Sequence, residues 1–294
     1  MITGTQGNLC DAHVHSTFSP DARSTLSDMC ERAIELGLEG VYFTEHLDLD
    51  PRDSGYRFFD PERYFSAIAD ARNRYGDLLE IGTGVEVCYQ SHREEEIAHW
   101  LDAWPWDLVL GSVHIVDAYG DWVMIPDRVS MARWAQRRTA DEAYRPYFEE
   151  LLRAARSGLF DVLAHVDLVK RYGVEHYGPF DSHAFGDALD AVLEAAVETG
   201  TGLEVNTSGL YQPPCEPFPS AAILRRYREL GGHIITVGSD SHDHMRLGRG
   251  LADGYTCVGS AGFKAVARFR GRQPHLEPMP EVKTAEEASP CPGH

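Results

Sequence analysis

The chain has 294 residues, with 27 Lys and Arg against 46 Asp and Glu and a formal net charge of −19. That acidity argues against nucleic acid or an anionic membrane as the main partner, since like charge repels. The length suffices for one large α/β domain; no stretch approaches the apolar length of a membrane span and the N-terminus lacks a secretory signal, so the expectation is a cytoplasmic protein.

The run 11–15, Asp-Ala-His-Val-His, reads as a first strand with His13 and His15 on one face and Asp21 just beyond its end. A helix is expected over 24–36, with Ser24 as its cap and an apolar stripe of Leu26, Met29, Ala33, Ile34 and Leu36. The β-branched stretch 40–44 then runs into Glu45-His46, residues 61–75 have helical spacing, 79–85 runs into Glu86, and 107–113 into His114. Further helical segments over 139–156, 182–199 and 220–230 alternate with strands that run into His165, into Glu204-Val205-Asn206 and into Asp240-Ser241-His242. Residues 211–217 read as a rigid proline-bearing loop, Arg268 falls in an expected C-terminal helix, and 273–294 reads as a flexible tail after a barrel spanning 1–272.

About seven strands alternating with helices imply parallel pairing through right-handed crossovers, and over this length closure into a barrel is favoured over an open sheet. An open sheet would carry a glycine-rich phosphate loop after its first strand, and none is present; Gly111, Gly209 and Gly231-Gly232 read as turn glycines. Barrel enzymes carry their chemistry at the C-terminal ends of the strands. The imidazoles and carboxylates fall there.

His13, His15, Asp21, His46, Glu86, His114, His165, Asp240 and His242 make nine candidate ligands, too many for one ion and enough for two or three. A set of oxygen and imidazole donors without thiolate suits zinc, manganese or iron(II). Glu86, mid-chain among histidines, is the natural bridging carboxylate. Such a cluster lowers the pKa of a bridging water and clamps the attacking and leaving oxygens of a phosphoryl group, which predicts hydrolysis. The six cysteines have no paired spacing and read as incidental thiols, Cys88 alone lying near the site. Residues 238–242 contain serine, aspartate and histidine but no nucleophile-elbow pattern, and the remaining histidines are expected in solvent.

The motifs Asp11-x-His13-x-His15 with Phe18-Ser19-Pro20-Asp21, Phe43-Thr44-Glu45-His46, Gly84-Val85-Glu86, Gly111-Ser112-Val113-His114, Ala164-His165-Val166-Asp167 and Gly238-Ser239-Asp240-Ser241-His242 resemble those of the polymerase-and-histidinol-phosphatase (PHP) superfamily. Longer stretches, 111–117, 165–173 and 204–210, are similar to its histidinol-phosphatase branch, and the resemblance covers about residues 8 to 272. It implies a distorted seven-stranded (β/α)7 barrel with a trinuclear site: His13, His15, Glu86 and Asp240 around one ion, Glu86 bridging to a second held by His114 and His165, and Asp21, His46 and His242 around a third. It also implies catalytic roles for Glu86, Asp240 and His242, and a phosphate clamp at Arg171. After residues 204–210 the branch continues with an arginine that meets the substrate, whereas this chain has Tyr211. Lys170, Arg246 or Arg249 is then expected to substitute, or the substrate differs.

The leading expectation is a phosphomonoesterase acting on a small phosphorylated metabolite, L-histidinol phosphate. The alternatives are a phosphoesterase for a nucleotide or another small phosphate, and a metal-dependent amidohydrolase. The last is disfavoured by the strand number and because Lys170, Lys264 and Lys283 offer no carbamylated bridge at Glu86. A scaffold that had lost its chemistry would have eroded ligands, and the nine positions show none.

Overall fold

The computed structural model describes residues 9–280. In chain order the elements are β1 (Cys10–Val14), α1 (Leu26–Leu36), β2 (Gly40–Leu47), α2 (Pro61–Tyr75), β3 (Glu80–Cys88), α3 (Glu94–Asp102), β4 (Leu108–Ser112), β5 (Ile115–Ala118), β6 (Asp121–Met124), α4 (Arg128–Ala135), α5 (Ala140–Ser157), β7 (Val162–Leu163), α6 (Lys170–Tyr177), α7 (Gly186–Thr199), β8 (Gly202–Asn206), α8 (Ala221–Glu229), β9 (Ile235–Gly238), α9 (Leu251–Ser260), β10 (Ala265–Arg270) and β11 (Gln273–Pro278). Strands β1, β2, β3, β4, β7, β8 and β9 pair in parallel in that order. The sheet closes where the Asp240 N–H donates to the His13 carbonyl (2.8 Å) and the His15 N–H to the Ser241 carbonyl (2.9 Å). The seven-stranded barrel expected from the sequence is the fold, and its seam runs through the ligand residues.

Helix α1 starts one residue later than a cap at Ser24 implies. Thr25, not Ser24, is the N-cap, in a capping box with Asp28, and Gly37 ends the helix at φ 70°. The Ser24 hydroxyl instead meets His244 Nδ1 at 2.9 Å. The stripe buries Leu26, Met29, Cys30 and Ala33 against the barrel wall. No helix among the described residues is long and apolar enough to cross a membrane.

Strand register decides what the barrel encloses. Tyr42, Thr44 and His46 of β2 pair with Gly82, Gly84 and Glu86 of β3, and Gly84 and Glu86 pair with Leu108 and Leu110 of β4, so one alternating set faces inward. Tyr42 lies across Gly82, where a Cβ would come within 2.1 Å of its ring. In β1 the register slips between Asp11 and Val14, a bulge beside His13.

Two parts of the chain differ from expectation. Arg268 lies in a strand, not a helix, and Gln273–Pro278, expected as the start of the tail, pairs antiparallel with β10. Aromatic and β-branched residues at 265–270 favour the extended form, and Phe269 and Ala267 pack with Cys10, Ala12, Tyr42, Leu108, Leu110, Val162, Ala164 and Ile234, closing the lower barrel. The expected tail beyond residue 280 lies outside the described residues. The hairpin β5–β6 directly after His114 was not legible in the sequence; Asp50 and Asp117 hold it through Arg52, and Asp50 also accepts from Trp122.

Candidate metal centre and its cavity

All nine candidate ligands meet at the upper end of the barrel. Glu86, from β3, is the hub: its Oε1 faces His165 Nε2 (2.9 Å) and His114 Nε2 (3.2 Å), and its Oε2 faces His46 Nδ1 (3.0 Å), His13 Nε2 (3.4 Å) and His15 Nε2 (3.5 Å). Asp240 Oδ1 lies 3.7 Å from His13 Nε2 and 3.5 Å from His15 Nε2. On the outer side His242 Nε2 sits 3.3 Å from His46 Nε2 and 3.3 Å from Asp21 Oδ2. Overlapping groups that could hold an ion result: His13, His15 and Glu86; His46, Glu86 and His114; and His15, His46 and His242.

The donor set fits divalent ions. Two imidazole nitrogens at ~2.0–2.1 Å from one ion stand about 2.9 Å apart at a right angle and about 3.4 Å apart in a tetrahedron. The His13 Nε2 to His15 Nε2 separation is 2.9 Å and that of His46 and His242 is 3.3 Å.

The outer partners select the tautomers. His13 Nδ1–H donates to Glu204 at 2.6 Å, His15 Nδ1–H donates to Ser19 Oγ at 3.0 Å, and His242 Nδ1–H donates to the Asp240 carbonyl at 3.0 Å. Each leaves Nε2 facing the cluster. Ser19 in turn donates to Glu45, which also accepts from the Ser16 backbone and hydroxyl. Burial pushes the Glu45 carboxyl up to about 7 against these bonds. Asn206 donates to Glu204 and to Asp240, both at 3.2 Å. Gly238 leaves the room this needs: a Cβ there would stand 2.3 Å from His13 Cβ.

Burial and charge pull the cluster in opposite directions. Burial alone would lower the His13 and His46 imidazoles, yet Glu204, Glu86 and Asp240 hold His13 well above its ordinary value, and Glu86 holds His46 up at about 10. His15 is driven well below its ordinary value by burial and by the neighbouring His46 and His242. Glu86 and Asp240, despite burial, are kept well below the carboxylate range by the imidazoles around them. The carboxylates therefore stay ionised, as ligands must. His165 and Asp240 both hold positive φ, 30° and 55°, a strain concentrated at the site.

Above the cluster opens a cavity of about 750 Å³ whose wall includes Asp48, Asp53, Phe58, Met124, Arg171, Tyr211, Arg246 and Arg249. Lys170 does not reach it. Its ammonium is fully buried and donates to Asp167 (2.7 Å), Glu216 (2.8 Å) and the Pro217 carbonyl (3.1 Å), so the expected substitution by Lys170 is corrected. Asp48 and Cys88 form a further buried group with His114 that the sequence reading did not include; burial drives the Cys88 thiol well above its ordinary value. The incidental-thiol reading fails at Cys215, which is disulfide-bonded. Glu204, Asn206 and Glu45 were visible at strand ends but not counted. A carboxylate directly beside a ligand histidine, or at the corresponding end of a ligand-free strand, was the available signal.

The PHP domain family matches residues 11–208. A Deinococcus radiodurans protein named "Probable histidinol-phosphatase" is 31% identical over 271 residues, 90% of this chain and 99% of that protein. The histidinol-phosphatase of Lactococcus lactis subsp. lactis is 29% identical over 262 residues, 89% of this chain and 94% of its own. A crystal structure of histidinol phosphate phosphatase from Lactococcus lactis subsp. lactis, complexed with zinc, L-histidinol and phosphate, superposes with a TM-score of 0.82 at 28% identity, covering 91% of this chain and 99% of that one.

Proposed function

The chain belongs to the PHP domain family, and from that premise we propose that it is a metal-dependent phosphomonoesterase that hydrolyses L-histidinol phosphate to L-histidinol and phosphate. The observation that carries the reading is Glu86, whose Oε1 faces the imidazoles of His165 and His114 and whose Oε2 faces those of His46, His13 and His15, all within 3.5 Å. That arrangement lets one carboxylate serve two ions.

His13, His15, Glu86 and Asp240 would hold one ion, Glu86 with His114 and His165 a second, and Asp21, His46 and His242 a third, each zinc, manganese or iron(II). Bound divalent ions supply an activated water and neutralise charge on the phosphoryl oxygens. The chain's own residues do the rest. Asp240 is held by His13 and His15 at Oδ1 and by Asn206 at Oδ2, which fixes its carboxylate in the cavity wall. Asp21 and His242 form the cavity's outer wall and set how close a phosphoryl group comes to Glu86. Arg171, whose Nε is buried without a hydrogen-bond partner among the described residues, is the donor available to an incoming phosphate.

Phosphate release from histidinol phosphate, nucleoside monophosphates and p-nitrophenyl phosphate, with metal content measured on the same preparation, tests the reading. Histidinol phosphate is expected to give the highest kcat/KM, with two or three ions per chain, activity abolished by chelation and restored by zinc or manganese. Fewer than one ion per chain in active enzyme removes the cluster, and a preferred nucleotide substrate removes the histidinol assignment alone.

A further inference from the structure

The cavity rim carries three arginines, and they are not equivalent. Arg246 turns back to its own turn, its Nε 3.5 Å from Asp243 and its side chain 70% exposed. Arg249 has no carboxylate partner among the described residues. Its guanidinium carbon instead lies 3.5 Å from the centroid of the Tyr211 ring. A guanidinium lying on an aromatic face keeps its N–H groups in the guanidinium plane, so the ring holds the cation while its donors remain available at the edge. The Tyr211 hydroxyl makes no hydrogen bond among the described residues, so the ring face is the part in use.

The two loops that carry this pair come from different strand ends and are fastened together. Thr207 Oγ1 donates to the Arg249 carbonyl at 2.7 Å, and a Cβ at Gly250 would lie within 3.2 Å of Thr207 and of the Tyr211 ring. Gly250 holds φ +77°, which a glycine adopts without strain and which brings the arginine backbone against the tyrosine loop. In a chain of net charge −19, a positioned guanidinium left without an acidic partner beside a metal cluster is suited to an incoming anion.

We propose that Arg249, held on the face of Tyr211, contacts the substrate phosphate together with Arg171, and that Tyr211 is a positioning residue acting through Arg249. The proposal rests on the phosphomonoesterase reading above. It requires no hydrogen bond from tyrosine.

The test is steady-state kinetics of the metal-loaded full chain, with inorganic phosphate as competitive inhibitor, for Arg249→Ala, Arg249→Lys, Tyr211→Phe, Tyr211→Leu and the double variant Arg249→Ala/Tyr211→Leu. Arg249→Ala is expected to lower kcat/KM about tenfold to a hundredfold, mostly through KM, and to weaken phosphate inhibition by a similar factor. Arg249→Lys should fall between, since an ammonium cannot both stack and present a fork. Tyr211→Phe should stay within about twofold of the parent, Tyr211→Leu should lose about fivefold, and the double variant should be no worse than Arg249→Ala alone.

Unchanged phosphate inhibition in folded, metal-replete Arg249→Ala overturns the proposal, as does a loss in Tyr211→Phe equal to that in Tyr211→Leu. Should Arg249→Ala fail to fold, Arg249→Lys with unaltered phosphate inhibition overturns it equally. If the parent hydrolyses p-nitrophenyl phosphate but not histidinol phosphate, the substrate assignment fails while phosphate inhibition still decides the role of Arg249.

Discussion

The inward faces of the same strands differ between the two ends of the barrel. On β2 Tyr42 gives way to His46, on β3 Gly82 to Glu86, and on β8 Gly202 to Glu204. At the lower end Phe269 and Ala267 seal an apolar interior, and the charges outside it are complete: Arg268 meets Glu39, Glu80 and Glu277. At the upper end the carboxylates Asp11, Glu45, Glu86, Glu204 and Asp240 pair with no Lys or Arg among the described residues, only with imidazoles, hydroxyls, amides and backbone N–H groups, whereas Asp50 and Asp167, outside this set, meet Arg52 and Lys170. One end is satisfied by the chain itself, and the other is built for cations from outside. Stability and chemistry are thereby assigned to opposite ends of one barrel.

The largest effect should come from the hub of the upper end. Glu86→Ala is expected to lower kcat/KM by more than about a thousandfold, beyond the range seen for an outer partner, and to reduce metal content, since two groups of imidazoles lose their shared anion. His242→Ala should cost less, because among the described residues its Nε2 pairs with Asp21 and His46 and not with Glu86. Elemental analysis and kinetics on both variants check this, and the reverse order would place the bridge elsewhere.

At the lower end the expected loss is in stability. Phe269→Ala empties part of the plug and should cost about 3–5 kcal/mol in urea unfolding, with kcat/KM of the folded, metal-replete protein unchanged within about twofold. A folded variant that loses activity would show that the two ends are coupled.

The smallest effect is expected where an outer partner is altered but not deleted. Glu204→Gln still accepts from His13 Nδ1–H but gives up its charge, and should lower metal affinity or activity about tenfold to a hundredfold with little change in unfolding midpoint. Metal titration separates the two, and a variant that binds metal like the parent would mean that orientation, not charge, is what Glu204 supplies to His13.

The alternation of strands and helices, the barrel and the convergence of the nine ligand-type residues were legible in the chain because each βα unit repeats one local pattern. A short apolar strand ends in a polar residue, and parallel closure brings every such end to the same rim. The histidinol-phosphatase likeness was legible for the same reason, since its motifs are those strand ends. Contacts between units were not. That Lys170 is sealed against Asp167 and Glu216, that Glu204 rather than a neighbour orients His13 across 191 residues, and that Phe269 plugs the barrel all depend on which distant segments meet. Tyr211 read in the sequence as a departure from a family pattern, and only the packing of two loops supplies the guanidinium lying on its ring. Periodicity and residue type act over a few neighbouring positions, whereas pairing partners and side-chain orientation are decided by closure of the whole barrel, which local sequence does not encode.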